Sequence, residues 1–244
     1  MKEFLYSRNA VYETLRAKRR DVFRLEIAQG VQEKGRILEI LQMTRDRKIP
    51  AISAPRAGMD KIHPAHQGVI LEASGYPYAN LVDILDLAKQ RSEPPFLLIL
   101  DTLNDPQNFG TLLRTAEAVG IHGVILPLAR TVEVTPAVVN ASSGASEHLL
   151  IAQANLSQAI DELREADIWT LGLDESPESR NPSDVRMDGG LAIVVGSEGQ
   201  GIRPLVRSKC DFLMRLPMQG RVESLNAAVA GSVALYLAYL ARHK

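Results

Sequence analysis

Two runs of five residues, Phe96-Leu97-Leu98-Ile99-Leu100 and Leu191-Ala192-Ile193-Val194-Val195, contain no polar side chain. A strand with one face in water alternates apolar and polar residues, because successive side chains point to opposite faces. Runs without alternation need cover on both faces, as in a parallel sheet with helices on either side. Gly123-Val124-Ile125-Leu126 and Trp169-Thr170-Leu171-Gly172-Leu173 read as two further strands. Helices are expected between them at about 108–119, 136–142 and 156–164; Thr135-Pro136 supplies a capping hydroxyl followed by proline. Strand–helix alternation of this kind predicts a doubly wound α/β domain.

The first 75 residues follow a shorter rhythm. Asn9 to Arg19 places Val11 and Leu15 at helical spacing, and Val22–Ile27 alternates like a half-buried strand. Gln32 to Arg45 repeats Ile37, Ile40 and Leu41 on one face, and Gly68–Leu71 closes the unit. Gly75-Tyr76-Pro77-Tyr78 and Arg91-Ser92-Glu93-Pro94-Pro95 then bracket a short helix at 81–89, with prolines that mark a linker. The expected organisation is a small α/β domain at 1–75, a linker at 76–94 and the larger domain at 95–244. Net charge is −1 overall, yet residues 1–75 hold 14 Lys and Arg against 9 Asp and Glu. Such asymmetry suits a basic arm that holds a polyanion.

Several classes are disfavoured. No stretch approaches the roughly 18 apolar residues of a membrane span. The start lacks the apolar core of a signal peptide, and the single Cys210 cannot form an internal disulfide, so a cytoplasmic location is expected. His63 and His66 have no cysteine or carboxylate cluster beside them, so no metal is expected. No G-x-S-x-G elbow is present for a serine triad, and Cys210 reads as a small core residue.

Chemistry concentrates elsewhere. Gly196-Ser197-Glu198-Gly199-Gln200-Gly201 follows a buried strand, and glycines let backbone approach a ligand closely. It is not a phosphate-binding P-loop, because Ile202-Arg203 stands where Lys and Ser or Thr are needed; its glycine spacing also differs from the dinucleotide pattern. Glu198 inside such a turn needs a cationic or hydrogen-bonding partner. Asp101 to Asn108 follows the first buried strand, with Asn108 placed to cap a helix that carries Arg114. Ser224-Leu225-Asn226 opens a helix so uniformly apolar that burial on all sides is expected, inside the core or at a subunit interface. A nucleotide-like ligand is the first inference.

Three segments together resemble the motifs of the SpoU-type (TrmH-like) RNA ribose methyltransferases of the SPOUT superfamily. They are Asn104-Asp105-Pro106-Gln107-Asn108-Phe109-Gly110-Thr111-Leu112-Leu113-Arg114-Thr115-Ala116, then Ile193 to Ile202, then Leu216-Pro217-Met218 with Ser224 to Ala230. Arg8-Asn9-Ala10-Val11 and His66-Gln67-Gly68-Val69 resemble that family's substrate-binding domain, related to ribosomal proteins that bind kinked RNA. Ser7 stands where glycine is usual, and Phe109 where leucine is. The arrangement is most similar to members that methylate a guanosine ribose of 23S ribosomal RNA.

The resemblance implies S-adenosylmethionine as cofactor, a C-terminal trefoil knot in the parallel α/β domain, and a homodimer through that domain. It implies backbone of Gly196, Leu216 and Leu225 around the cofactor, with Ile125 and Met218 nearby. It places Arg114, Asn108, Glu198, Ser224 and Asn226 at the reaction. With the basic front end it implies that Arg8, Arg16, Lys18, Arg19 and Arg20 grip RNA. Transfer RNA as substrate, or an RNA-binding protein that has lost its chemistry, are the alternatives.

Overall fold

The computed structural model describes residues 2–129, 131–222 and 224–243. In chain order the elements are β1 (Lys2–Tyr6), α1 (Arg8–Ala17), β2 (Val22–Ala28), α2 (Arg36–Asp46), β3 (Ala51–Ala54), α3 (Arg56–Ile62) and β4 (Val69–Ser74). They continue with α4 (Leu81–Arg91), β5 (Phe96–Leu100), α5 (Pro106–Ala118), β6 (Gly123–Pro127), α6 (Pro136–Ala141), β7 (Ile151–Ala154) and α7 (Leu156–Glu165). The last are β8 (Trp169–Leu173), β9 (Leu191–Val195), α8 (Pro204–Lys209), β10 (Phe212–Met214) and α9 (Ala227–Arg242). No helix among the described residues is long and apolar enough to cross a membrane.

Residues 1–77 and 133–148 form one unit. Its sheet has the order β1-β4-β2-β3, antiparallel except for the β2–β3 pair. Leu5, Leu15, Leu25, Ile37 and Ile40 fill its core. The stretch 133–148 follows β6 in sequence but completes this first unit, with α6 packed on β1. Gly144 lies so close to α1 that a Cβ there would stand 2.6 Å from Cβ of Glu13.

Charge also joins the two segments of that unit. The Arg20 guanidinium is wholly buried, donating to both carboxylate oxygens of Glu147 at 2.8 and 2.9 Å and to Glu3 at 2.6 Å. Arg19 lies beside it, donating to the Tyr76 hydroxyl and the Pro77 carbonyl, both at 3.0 Å. Ser7 has φ 76°, a backbone region that costs a side chain steric strain.

Residues 78–132 and 149–244 form the second unit. Its sheet runs β10-β8-β9-β5-β6-β7, every pair parallel. All five residues of β5 and of β9 are buried, as their unbroken apolar runs require. The segment expected as a linker is largely a packed element of this unit. Asn80 and Asp83 form a reciprocal capping box at the start of α4, and Leu81, Ile84 and Ala88 sink into the core.

The last helix is covered on one side only within this chain. Ala228, Gly231, Ala234, Leu235 and Ala238 are buried, and a Cβ at Gly231 would come within 2.6 Å of Leu112 on α5. Packing on α5 and β9 covers only one side of α9. Val229, Val233, Tyr236 and Leu240, a stripe at helical spacing, are 41 to 58% exposed.

Candidate active site

From β5 the chain moves outward through β6 to β7, then crosses to β8 on the other side of β9. Strand order therefore reverses between β5 and β9. In an open parallel sheet, ligands bind beyond the carboxyl ends at such a reversal. Two loops leave the sheet there: 101–105 after β5 and 196–203 after β9.

The second loop folds back tightly on itself. Ser197 and Gly201 exchange backbone hydrogen bonds at 3.1 and 3.0 Å. A Cβ at Gly196 would stand 2.1 Å from the Gly201 carbonyl carbon, so this glycine is demanded by the turn itself, with or without a ligand.

Asp105 caps α5, its side chain accepting the amides of Gln107 and Asn108 at 3.3 and 3.0 Å, with Pro106 in the first turn. Asn108 is thus not the cap expected from sequence. It sits one turn inside, and its amide is available for other contacts. Its Nδ2 donates to Glu198 Oε1 at 2.9 Å, and its Oδ1 accepts from Asn226 Nδ2 at 3.1 Å. Asn226 Nδ2 also donates to the same Glu198 oxygen. The other side of Asn226 caps α9, Oδ1 accepting the amides of Ala228 and Val229 at 2.9 and 3.2 Å. That cap fixes which end of the amide faces Glu198.

One oxygen of Glu198 therefore accepts from two side-chain amides. Arg114 is exposed on α5, six residues beyond Asn108. On an α-helix that separation is about 9 Å along the axis and roughly 120° around it.

Beside this triangle lies a cavity of about 390 Å³. Of the residues expected around a cofactor, Gly196, Leu216, Met218 and Leu225 line it, and so does Ser224. Ile125 does not. It is fully buried in β6, inside the apolar cluster formed with Leu97, Ile99 and Ala152. The spacing of motifs could not reveal that its side chain turns into the core.

Leu173, Val195 and Met214 add apolar wall, and Asp174 and Glu175 bring two carboxylic side chains that sequence reading missed. Burial works against ionisation of Asp174, but hydrogen bonds from Arg207 at 3.0 Å and Ser176 at 2.9 Å outweigh it and hold this carboxyl below its usual range. Asp101 was missed as well; it is fully buried and bound to Arg203. Both aspartates had one legible signal, since each is the first residue beyond a strand run, at its carboxyl end. Cys210 packs against the core of this unit, and burial pushes its thiol up to about 12, which leaves it no nucleophilic character near neutrality.

The proposed RNA-gripping residues divide. Arg8, Arg16 and Lys18 are exposed. Arg20 is a correction: its guanidinium is enclosed between Glu147 and Glu3 and does not reach solvent. Arg19 is half-buried against Tyr76.

A parallel α/β sheet with a glycine-bounded cavity at its carboxyl ends, flanked by a polar triangle, defines a cofactor-binding enzyme domain. Comparison with known proteins narrows the class. Residues 95–236 match the SpoU rRNA Methylase family, and residues 4–79 match the RNA 2'-O ribose methyltransferase substrate binding model. The chain belongs to the SpoU family and is an RNA methyltransferase.

A Bacillus subtilis protein named as a TrmH family tRNA/rRNA methyltransferase is 41% identical over 99% of this chain and 96% of its own length. A Staphylococcus aureus protein of the same description is 43% identical over 89% of this chain and 88% of its own. Among solved structures, the SpoU methyltransferase AviRb of Streptomyces viridochromogenes, in complex with AdoMet, superposes with a TM-score of 0.83. The alignment covers 100% of this chain and 91% of that one at 22% identity. An AdoMet-bound rRNA methyltransferase from Sinorhizobium meliloti gives 0.79 at 22% identity, covering 97% and 86%. At these identities the structures attest the fold.

Proposed function

We propose that this chain methylates a ribose 2′-oxygen of RNA with S-adenosylmethionine as cofactor, and that its target is a guanosine of 23S ribosomal RNA. The observation that carries the reading is the triangle of Asn108, Glu198 and Asn226 standing beside the cavity. Ser197 and Gly199, the neighbours of Glu198, and Leu225 and Ala227, the neighbours of Asn226, line that cavity.

The cavity fits the cofactor in size and chemistry. About 390 Å³ lies in the range of small-molecule sites. Leu173, Leu216, Met218 and Leu225 offer apolar cover for a flat base, while Asp174 and Glu175 offer acceptors for hydroxyl or ammonium groups. When bound, S-adenosylmethionine supplies an electrophilic methyl on a sulfonium.

The residues around it then have distinct tasks. Glu198 holds the amides of Asn108 and Asn226 in one orientation, so the polar edge facing the ribose is preorganised. Arg114 keeps its proton in a protein and so cannot be the general base. Its role in this reading is to clamp a phosphate of the substrate and stabilise alkoxide charge as it develops, the hydroxyl proton leaving to phosphate or water. Arg8, Arg16 and Lys18 supply exposed positive charge for RNA backbone.

The C-terminal path passes from β9 out to the edge strand β10 and returns to α9 against α5 and β9, which supports a knotted path around the cavity. The exposed stripe on α9 supports a homodimer through that helix. A cytoplasmic location suits the substrate and the single cysteine.

Transfer RNA is the second reading, since the relatives are named tRNA/rRNA methyltransferases. Label transferred from tritiated S-adenosylmethionine to unmodified 23S ribosomal RNA, beside transfer RNA, separates the two. Label at a ribosomal guanosine supports the proposal. Label in transfer RNA alone moves the target, and no label in either, with cofactor bound, contradicts methyl transfer to these RNAs.

A further inference from the structure

At one end of the first unit's sheet, β1, β2 and β3 finish and β4 begins, because β4 runs antiparallel to β1 and β2 while β3 runs parallel to β2. Tyr6 ends β1 with its ring buried in a cluster with Ala28, Met59 and Ile70. The imidazole of His63 lies flat on that phenol, with centroids 3.6 Å apart and planes inclined by 10°. His63 is partly exposed. Its Nδ1 accepts the Ala65 amide at 3.1 Å, which leaves Nε2 without a partner among the described residues.

The loop that carries His63 is locked from beneath. His66 is buried, with Nδ1 accepting the Gly68 amide at 2.9 Å and Nε2 3.2 Å from Asp60. The same loop orients an arginine. The Arg8 amide donates to Gln67 Oε1 and its Nε to the Gln67 carbonyl, both at 3.1 Å. The two terminal nitrogens of Arg8 have no partner among the described residues. Arg56 and Lys61, exposed on the adjoining α3, raise the positive charge at this end.

A flat ring on a rigid support next to a fork-shaped cation is the pairing that single-stranded RNA recognition uses. Unpaired bases stack on histidine and aromatic planes, and arginine takes phosphate through two parallel hydrogen bonds. We propose that His63 and Arg8 form a nucleotide contact on the first unit, in which an unpaired base of the RNA substrate stacks on the outer face of His63 and Arg8 takes a neighbouring phosphate. This rests on the RNA methyltransferase reading and adds to it where the RNA is held. It also separates Arg8 from Arg20, which sequence alone had grouped together.

The test uses the full chain and two fluorescent RNAs, a hairpin with an unpaired loop and a blunt duplex of the same length. The wild type binds the hairpin more tightly. His63→Ala lowers hairpin affinity by about tenfold and leaves duplex affinity unchanged, while His63→Phe restores the preference. Arg8→Ala, which removes a side chain hydrogen-bonded to Gln67 alone among the described residues, weakens both and reduces the slope of log affinity against log salt by about one. S-adenosylmethionine titration and the thermal midpoint, measured on each variant, report the fold. A folded His63→Ala protein that binds the hairpin as the wild type does overturns the proposal and leaves the methyltransferase reading intact. A wild type that takes up the cofactor but neither binds nor methylates RNA overturns both.

Discussion

Asp101 and Arg203, 102 positions apart in sequence, are held together by a wholly buried carboxylate. Its oxygens accept the Arg203 amide at 2.8 Å and Nε at 2.7 Å, and Nη2 stands 2.6 Å away as an ion pair. The pair ties the root of the loop leading to Asn108 to the chain just beyond Glu198. Asp101→Asn keeps the shape but loses acceptor capacity for these donors. Destabilisation of about 1–3 kcal/mol is expected, moderated because Arg203 is partly in water. Methyl transfer should slow more than cofactor affinity falls. Urea unfolding and steady-state kinetics on one preparation check this, and an unchanged rate contradicts a positioning role.

Asn226 serves α9 with its oxygen and Glu198 with its nitrogen. Asn226→Asp separates these tasks, since aspartate caps a helix equally well but sets a second carboxylate against Glu198. Helix content and thermal midpoint should stay near the wild type. The rate should fall on the order of a hundredfold, the cost of displacing reacting groups by about an ångström. Circular dichroism beside a methyl-transfer assay distinguishes the two effects.

Arg20→Ala would leave Glu147, 1% exposed, as an uncompensated buried charge. Such a loss costs about 3–5 kcal/mol. The folded protein should nonetheless keep the wild-type salt dependence of RNA binding, because Arg20 never reaches the solvent. Thermal unfolding together with RNA binding over a salt series measures both, and a reduced salt slope would restore Arg20 as a phosphate contact.

His122 is held neutral in the folded chain. Burial lowers its pKa below the ordinary 6.5, and Arg91 adds to this against the opposing Glu93. Its Nδ1 accepts the Phe96 amide at 3.0 Å, which a protonated ring cannot do. The unfolded chain therefore takes up a proton at higher pH than the folded one. The contribution is complete above the unfolded value and is lost as pH falls from there toward the lowered folded value. Unfolding free energies taken from neutral pH downward should decline over that window, and His122→Gln should flatten the decline.

The second unit was legible where composition and geometry coincide. The runs at 96–100 and 191–195 are central strands, and Gly196, Leu216, Met218 and Leu225 do surround one cavity. In the first unit, β3 was missed because its four residues are mostly exposed, and α3 because it starts after Pro55 and contains Gly58. Placement of 133–148 rests on long-range contacts, such as α6 on β1 and Arg20 with Glu147, which no local pattern announces. A count of basic residues likewise cannot separate an exposed arginine such as Arg16 from an enclosed one such as Arg20. Exposure of Val233 and Tyr236 follows from what α9 packs against, information that its uniformly apolar sequence does not carry.

The central claim, methyl transfer to a ribose oxygen beside the Asn108–Glu198–Asn226 triangle, is tested most directly by nucleoside mass spectrometry. Unmodified 23S ribosomal RNA is incubated with isotope-labelled S-adenosylmethionine and either the wild type or Glu198→Ala, then digested. The account predicts label in a 2′-O-methyl nucleoside, lost in the variant while cofactor affinity is retained. Label on a base, or a Glu198→Ala protein with full activity, would contradict it.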